Sequence, residues 1–194
     1  IDEEFNVLDF DYIYNGAGVA VGDFNADGLP DVFFGGNMVS SRLYLNRGDF
    51  RFEDVTQNAG LETNSWVEGI TLVDINQDGL LDIYACVSNR KETSQDPNLL
   101  FVHQGFGDDG IPKYKEMAAA YGLADIGYNT QSAFFDYDRD GDLDLYILSN
   151  AMENFQRNLS RPRDKSGNGK SNDKLYRNNG DGTYSNVTKE AGIL

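Results

Sequence analysis

The strongest constraint in this chain is an acidic nonapeptide that occurs three times. It runs Asp23-Phe24-Asn25-Ala26-Asp27-Gly28-Leu29-Pro30-Asp31. It returns as Asp74-Ile75-Asn76-Gln77-Asp78-Gly79-Leu80-Leu81-Asp82 and as Asp136-Tyr137-Asp138-Arg139-Asp140-Gly141-Asp142-Leu143-Asp144. Each copy has the form D-x-[DN]-x-D-G-x-x-D. Oxygen side chains at the first, third, fifth and ninth positions can converge on one hard cation. The carbonyl of the seventh residue (Leu29, Leu80 or Asp142) can add a further ligand. The sixth-position glycine allows the backbone to bend round the ion. Calcium takes six to eight oxygens at roughly 2.3–2.6 Å in a tolerant geometry, whereas magnesium demands a tighter octahedron and keeps its waters. The pattern therefore predicts three calcium ions, one per loop.

The charge balance agrees with that reading. The formal charge is −16, and 11 of the 32 acidic residues fall inside the three nonapeptides. Three divalent ions would bring −16 to −10, so much of the acidity reads as a ligand set. A charge of this sign argues against nucleic-acid or anionic-membrane partners. The length, 194 residues with 40% hydrophobic and 12% aromatic content, suits one domain with a real core.

Each nonapeptide sits in the same local context. Short runs rich in β-branched and aromatic residues flank it, separated by turn signals. In the first unit these are Gly18–Gly22, Asp31–Asn37, Arg42–Asn46 and Phe50–Thr56, closed by Ala59-Gly60-Leu61. The second unit gives Gly69–Val73, Asp82–Val87, Leu99–His103 and Tyr114–Met117, closed by Gly122-Leu123. The third gives Ser132–Phe135, Asp144–Asn150, Lys174–Asn178 and Thr183–Thr188, closed by Ala191-Gly192-Ile193. Loop-to-loop spacings are 51 residues (Asp23 to Asp74) and 62 (Asp74 to Asp136). Four strands per unit at such a period predict an all-β chain of propeller blades. The blades run about 16–61, 66–123 and 129–194, in one domain spanning 1–194. Residues 1–15 alternate acidic and aromatic types and predict an extended lead-in. An insertion at about 151–173 is polar and basic (Arg157, Arg161, Arg163, Lys165, Lys170) and predicts an exposed loop.

An EF-hand opens similarly but carries a bidentate acid at position 12 between helices. Position 12 here is Phe34, Ala85 or Ile147, all apolar, so each loop must join two strands.

The pattern Val-x-x-Gly-Asp-Phe-Asn-x-Asp-Gly-x-x-Asp-Val, beginning at Val19, resembles the FG-GAP/VCBS repeat of integrin alpha-subunit propellers and bacterial surface proteins. The companions Arg42-Leu43-Tyr44-Leu45-Asn46, Phe52-Glu53-Asp54-Val55-Thr56 and Leu175-Tyr176-Arg177-Asn178-Asn179-Gly180-Asp181-Gly182 are similar to repeats of the cartilage-acidic-protein and bacterial ASPIC/UnbV families. The resemblance covers roughly residues 15–194. It implies calcium in the loops between the first two strands of each blade, in secreted or surface-attached proteins, outer-membrane attachment in a bacterium included. Members usually have about seven blades, and three are visible here. The ASPIC/UnbV C-terminal module is absent. The expectation is a segment of a larger propeller whose open arc leaves two bare sheet edges, inviting self-association.

Residues that usually carry catalysis are scarce. His103 is the one histidine and Cys86 the one cysteine, each in a strand-like run that reads as structural. No disulfide can form within the chain. No Gly-rich phosphate loop is present, and no apolar run is long enough to span a bilayer, about 20 residues. The chain begins at Ile1 without a signal peptide, which reads as a processed or trimmed piece. Arg47-Gly48-Asp49 spells an adhesion tripeptide, but Asn179-Gly180-Asp181 holds the same place in the third unit, so a Gly-Asp turn accounts for it. Sequons stand at Asn158 and Asn186. The leading expectation is a calcium-stabilised extracellular or cell-surface scaffold for a protein or glycan ligand, not an enzyme. The alternative is a lectin-like or catalytic component of a polysaccharide-processing system, suggested by aromatic-rich loops and the single Trp66.

Overall fold

The computed structural model describes residues 16–89, 95–150 and 164–193. The N-terminal lead-in, the first part of the insertion and the sequon at Asn158 lie outside them. The described strands form three four-stranded antiparallel meanders. Blade 1 holds β1 (Val19–Gly22), β2 (Asp31–Phe34), β3 (Arg42–Asn46) and β4 (Phe52–Asp54). Blade 2 holds β5 (Val67–Val73), β6 (Asp82–Val87), β7 (Leu99–Phe106) and β8 (Pro112–Glu116). Blade 3 holds β9 (Asn129–Phe135), β10 (Asp144–Ser149), β11 (Lys174–Asn178) and β12 (Tyr184–Asn186). Every nonapeptide joins the first and second strands of its blade, as the sequence predicts. The architecture is all-β and of propeller-blade type.

The three blades stack face on face, and β6 shows how the period of two makes that possible. Side chains along a strand alternate between faces, and all six residues of β6 are buried. Ile83, Ala85 and Val87 enter a core with Phe33, Leu43 and Leu45 of blade 1. Tyr84 and Cys86 enter a second core with Leu145, Ile147 and Tyr176 of blade 3. Burial pushes the Cys86 thiol up to about 12, which leaves it a small inert hydrophobe. The second strand of the middle blade is thus covered on both faces, one by blade 1 and the other by blade 3. On their other faces, Val19, Val21 and Phe34 of blade 1 and Phe135 and Leu148 of blade 3 stand exposed. The apolar surface left at the ends of the row is therefore a sheet face at each end rather than a strand edge.

Between blades the first strands approach closely. Thr71 Oγ1 donates to the Ser132 carbonyl at 2.9 Å, linking β5 to β9. A Cβ on Gly18 would sit 2.6 Å from the Ile70 amide nitrogen, so that approach requires glycine.

Two one-turn helices, α1 (Thr56–Ala59) and α2 (Ala118–Tyr121), close blades 1 and 2 where sequence periodicity gives no helical signal. Gly60 and Gly122 end them in the left-handed region. The following Leu61 and Leu123 are fully buried in the seams. The pieces are too short to show a 3.6 period, and packing of the tail against the next blade sets them.

Gly122 tests this junction. Its φ is +74°, and an added Cβ would lie 2.7 Å from the Tyr184 carbonyl oxygen of blade 3. Gly110 has a similar φ of +71° with open space around it. Gly110→Ala is expected to cost about 1 kcal/mol from backbone strain alone. Gly122→Ala is expected to cost ~2 kcal/mol or more, because the contact adds to that strain. Urea unfolding of the two variants measures the difference.

Candidate metal centres

The three nonapeptides fold alike, and their hydrogen bonds show why the residue types sit where they do. The first-position aspartate gathers the loop backbone. Asp23 Oδ1 and Oδ2 accept from the amides of Asp27 (3.0 Å) and Gly28 (2.8 Å). Asp74 does the same with Asp78 and Gly79, each at 2.9 Å. Asp136 accepts from Arg139, Asp140 and Gly141. The fifth-position aspartate accepts from the seventh-residue amide: Asp27 from Leu29, Asp78 from Leu80, Asp140 from Asp142. The sixth-position glycine has φ of 84°, 84° or 99°. The fourth residue is also left-handed, at Ala26, Gln77 and Arg139, with φ of 57°, 58° and 66°. None of these is glycine, so the second bend is invisible to a search for turn residues.

The ninth-position aspartate does more than the ligand pattern indicates. Asp31, Asp82 and Asp144 are fully buried, and each uses both carboxylate oxygens as brackets. Oδ2 accepts from the second residue of its own loop: Phe24 (2.9 Å), Ile75 (2.9 Å) or Tyr137 (3.0 Å). Oδ1 accepts from the amide of the fifth residue of the third strand: Asn46 (2.7 Å), His103 (2.7 Å) or Asn178 (2.8 Å). One carboxylate per blade thereby ties the loop to two strands. Burial raises all three pKa values, that of Asp82 to about 6, with Asp74 and Asp78 adding repulsion.

The third loop brings its acids closest. Asp136, Asp138 and Asp144 each present a carboxylate oxygen within 4.8 Å of the other two. Among the described residues this is the one such grouping of three acids. Asp140 and Asp142 stand outside it. In the first two loops the third residue is an amide: Asn25 Nδ2 donates to Asp27 Oδ2 at 2.8 Å and Asn76 Nδ2 to Asp78 Oδ2 at 2.9 Å. The amides there offset part of the repulsion that the fully acidic third loop carries. All the candidate donors are oxygens, the set a hard divalent cation takes.

His103 fills the position that Asn46 and Asn178 hold in the other blades, and for the same purpose. Asn46 Oδ1 and Asn178 Oδ1 accept from the amides of Gly48 and Gly180. His103 Nδ1 accepts from Gly105 at 2.9 Å, which leaves Nε2–H to donate to the Phe24 carbonyl at 3.3 Å. Desolvation lowers its pKa and keeps it neutral. The lone histidine is thus a turn acceptor joining blade 2 to the first loop. Trp66 is buried at 6% exposure, with its Nε1–H donated to Glu68. Arg47 and Asp49 face their neighbours Glu53 and Arg51 across the hairpin turn.

Comparison with known proteins follows this geometry. An FG-GAP-like repeat model matches residues 23–85, which run from the first nonapeptide through the second. Cartilage acidic protein 1 of Mus musculus and that of Homo sapiens are each 33% identical over 138 residues, 69% of this chain and 20% of theirs. The Xenopus tropicalis protein is 30% identical over 141 residues, 71% of this chain and 21% of its own. The chain therefore spans about a fifth of the length of the curated relatives it matches.

The two roles of aspartate predict different losses in calcium-free solution. Asp82→Ala would strand two amide donors and is expected to cost about 3 kcal/mol. Asp140→Ala removes one exposed contact and is expected to stay within ~1 kcal/mol. Chemical denaturation in chelator measures both. The raised carboxyl of Asp82 also sets a sign. Its folded value of about 6 lies above the ordinary 3.8, so the metal-free fold binds the proton more tightly than the unfolded chain. Its contribution is full below 3.8 and is lost as pH rises through about 6. Melting temperatures across that window in chelator should fall with rising pH, and calcium should flatten or reverse the trend.

The repeated loop geometry, the stacked meanders and these similarities make the chain an all-β protein of propeller-blade type that carries an FG-GAP-like repeat over residues 23–85 and is similar to cartilage acidic protein 1.

Proposed function

We propose that this chain is a calcium-stabilised extracellular or cell-surface scaffold for protein or glycan ligands. The observation that carries the reading is the third loop, where Asp136, Asp138 and Asp144 converge within 4.8 Å. Such a cluster is self-repelling until a cation fills it. The proposed ligands are Asp23, Asn25, Asp27 and Asp31; Asp74, Asn76, Asp78 and Asp82; and Asp136, Asp138, Asp140 and Asp144, with the carbonyls of Leu29, Leu80 and Asp142. Calcium would supply the counter-charge that three acidic turns lack and would hold the first two strands of each blade together. Binding confined to the folded state stabilises it by about 2.7 kcal/mol per site at a hundredfold excess over Kd.

The extracellular assignment rests on chemistry. Loops of this kind in extracellular modules bind at about 10⁻⁴–10⁻³ M, which suits calcium-rich surroundings. The relatives are named for acidity, and this chain shares it at −16. A binding role is favoured over catalysis because the isolated histidine and cysteine are both absorbed into the fold. The lectin-like alternative loses the support it drew from Trp66, since a buried ring offers no stacking platform.

Isothermal titration with calcium is expected to give three ions per chain, and two for Asp140→Ala. Chelation is expected to lower the melting temperature. Titration without heat, together with a melting temperature indifferent to chelator, would overturn the calcium reading. Binding on a glycan array would return the lectin alternative to first place.

A further inference from the structure

Two seams join the three blades, and they are built from different chemistry. At the seam between blades 2 and 3, the buried Asp125 carboxylate receives Lys174 Nζ at 2.7 and 2.8 Å. It also accepts from the Tyr176 hydroxyl at 2.7 Å and from Asn129 Nδ2 at 2.9 Å. Lys174 is 2% exposed, so this is a buried ion pair, and Tyr176 and Asn129 of blade 3 complete the bonds to the carboxylate. Asp125 lies three residues beyond the left-handed Gly122. Lys174 and Tyr176 are the first and third residues of β11, opposite Ile147 and Leu145 of β10.

At the seam between blades 1 and 2 the same four places are taken by Thr63, Leu99, Phe101 and Val67. Leu99 and Phe101 lie opposite Ala85 and Ile83, in the same register. Every potential partner for the closing-turn residue is apolar there, and the buried Thr63 Oγ1 has no hydrogen bond. The polar set is thus present whole at one seam and missing whole at the other.

The uncovered face of blade 1 carries the polar half. Arg42 and Tyr44 are the first and third residues of β3, opposite Phe34 and Val32. That is the register of Lys174 and Tyr176. Exposed Val19, Val21 and Phe34 surround them on the face whose counterparts in blades 2 and 3 are covered by the preceding blade. Arg42 Nη1 meets Asp54 of its own blade at 3.2 Å, with the two side chains 47% and 37% exposed. Such exposed pairs are weak and exchange readily.

We propose that the face around Val19, Val21, Phe34, Arg42 and Tyr44 docks a further four-stranded blade whose closing turn carries an aspartate or glutamate three residues after its left-handed glycine. That carboxylate takes the place of Asp125, receiving the Arg42 guanidinium and the Tyr44 hydroxyl. A closing turn of the Thr63 kind would bury the guanidinium with only its single contact to Asp54 and leave its other donors unpaired, which is unfavourable. The seam pair therefore selects which blade can sit next to which, a specificity that apolar packing alone does not supply.

The test places a copy of residues 66–127 directly ahead of Asn15, so that Gly127 keeps the spacing it has to Tyr128. The copy presents Asp125 to blade 1, and a second version carries Asp125→Thr in the copy alone. Hydroxyl-radical footprinting of Phe34 and the unfolding midpoint are read in both, with and without Arg42→Ala. The aspartate version is expected to cut Phe34 labelling about tenfold and raise the midpoint, and either substitution is expected to abolish both effects. Equal protection by the threonine version, or no protection by either, overturns the proposal. In the natural chain, a double-mutant cycle on Asp125→Ala and Lys174→Ala is expected to show at least tenfold coupling in the unfolding equilibrium. Additive effects there overturn it as well, because the seam pair would then have no selective weight.

Discussion

Each blade is organised about one buried carboxylate. Asp31, Asp82 and Asp144 sit at the start of the second strand, fully out of water, and each accepts one amide from its own loop and one from the fifth residue of the third strand. Burying a carboxylate is costly unless its lone pairs are satisfied, and two backbone donors with well-formed bonds offset much of that cost. The arrangement fixes how the loop sits against the second and third strands. It also leaves a negative charge beside the first- and third-position groups. The same carboxylate therefore shapes the blade and belongs to the proposed cation site.

The second constraint is that a single meander cannot bury both of its faces. Blade 2 solves this with β6, whose alternate residues enter different cores. Its neighbours cover one face each, and the exposed valines and phenylalanines of blade 1 follow directly. Because stacked faces are interchangeable to apolar packing, order along the row needs a polar discriminator. The Asp125–Lys174 pair at one seam and Thr63 among apolar side chains at the other have that character.

His103 joins these two levels. Its backbone amide serves the bracket on Asp82, its Nδ1 replaces an asparagine oxygen in the hairpin turn, and its Nε2 reaches the first loop of the neighbouring blade. A residue type usually examined for catalysis is here consumed by three structural bonds. The sequence suggested a structural histidine from its apolar run, but the reason lies in a turn repeated across all three blades.

Much was legible in the chain itself because the information is local. The nonapeptide spacing, the apolar twelfth position and the strand-like runs around them determine that three loops each join two strands, and the 51- and 62-residue periods determine that the units repeat. The cysteine was also readable as a core residue from its neighbours, whereas Trp66 suggested a sugar platform until its burial was seen. Tertiary structure alone decided the rest. Left-handed backbone at Ala26, Gln77 and Arg139 carries no glycine to announce it. The bracket from Asp82 to His103 spans 21 residues. The Asp125–Lys174 pair spans 49, and its partners lie on different blades. Those contacts depend on which faces stack and in what register, and no window of sequence contains both halves of them.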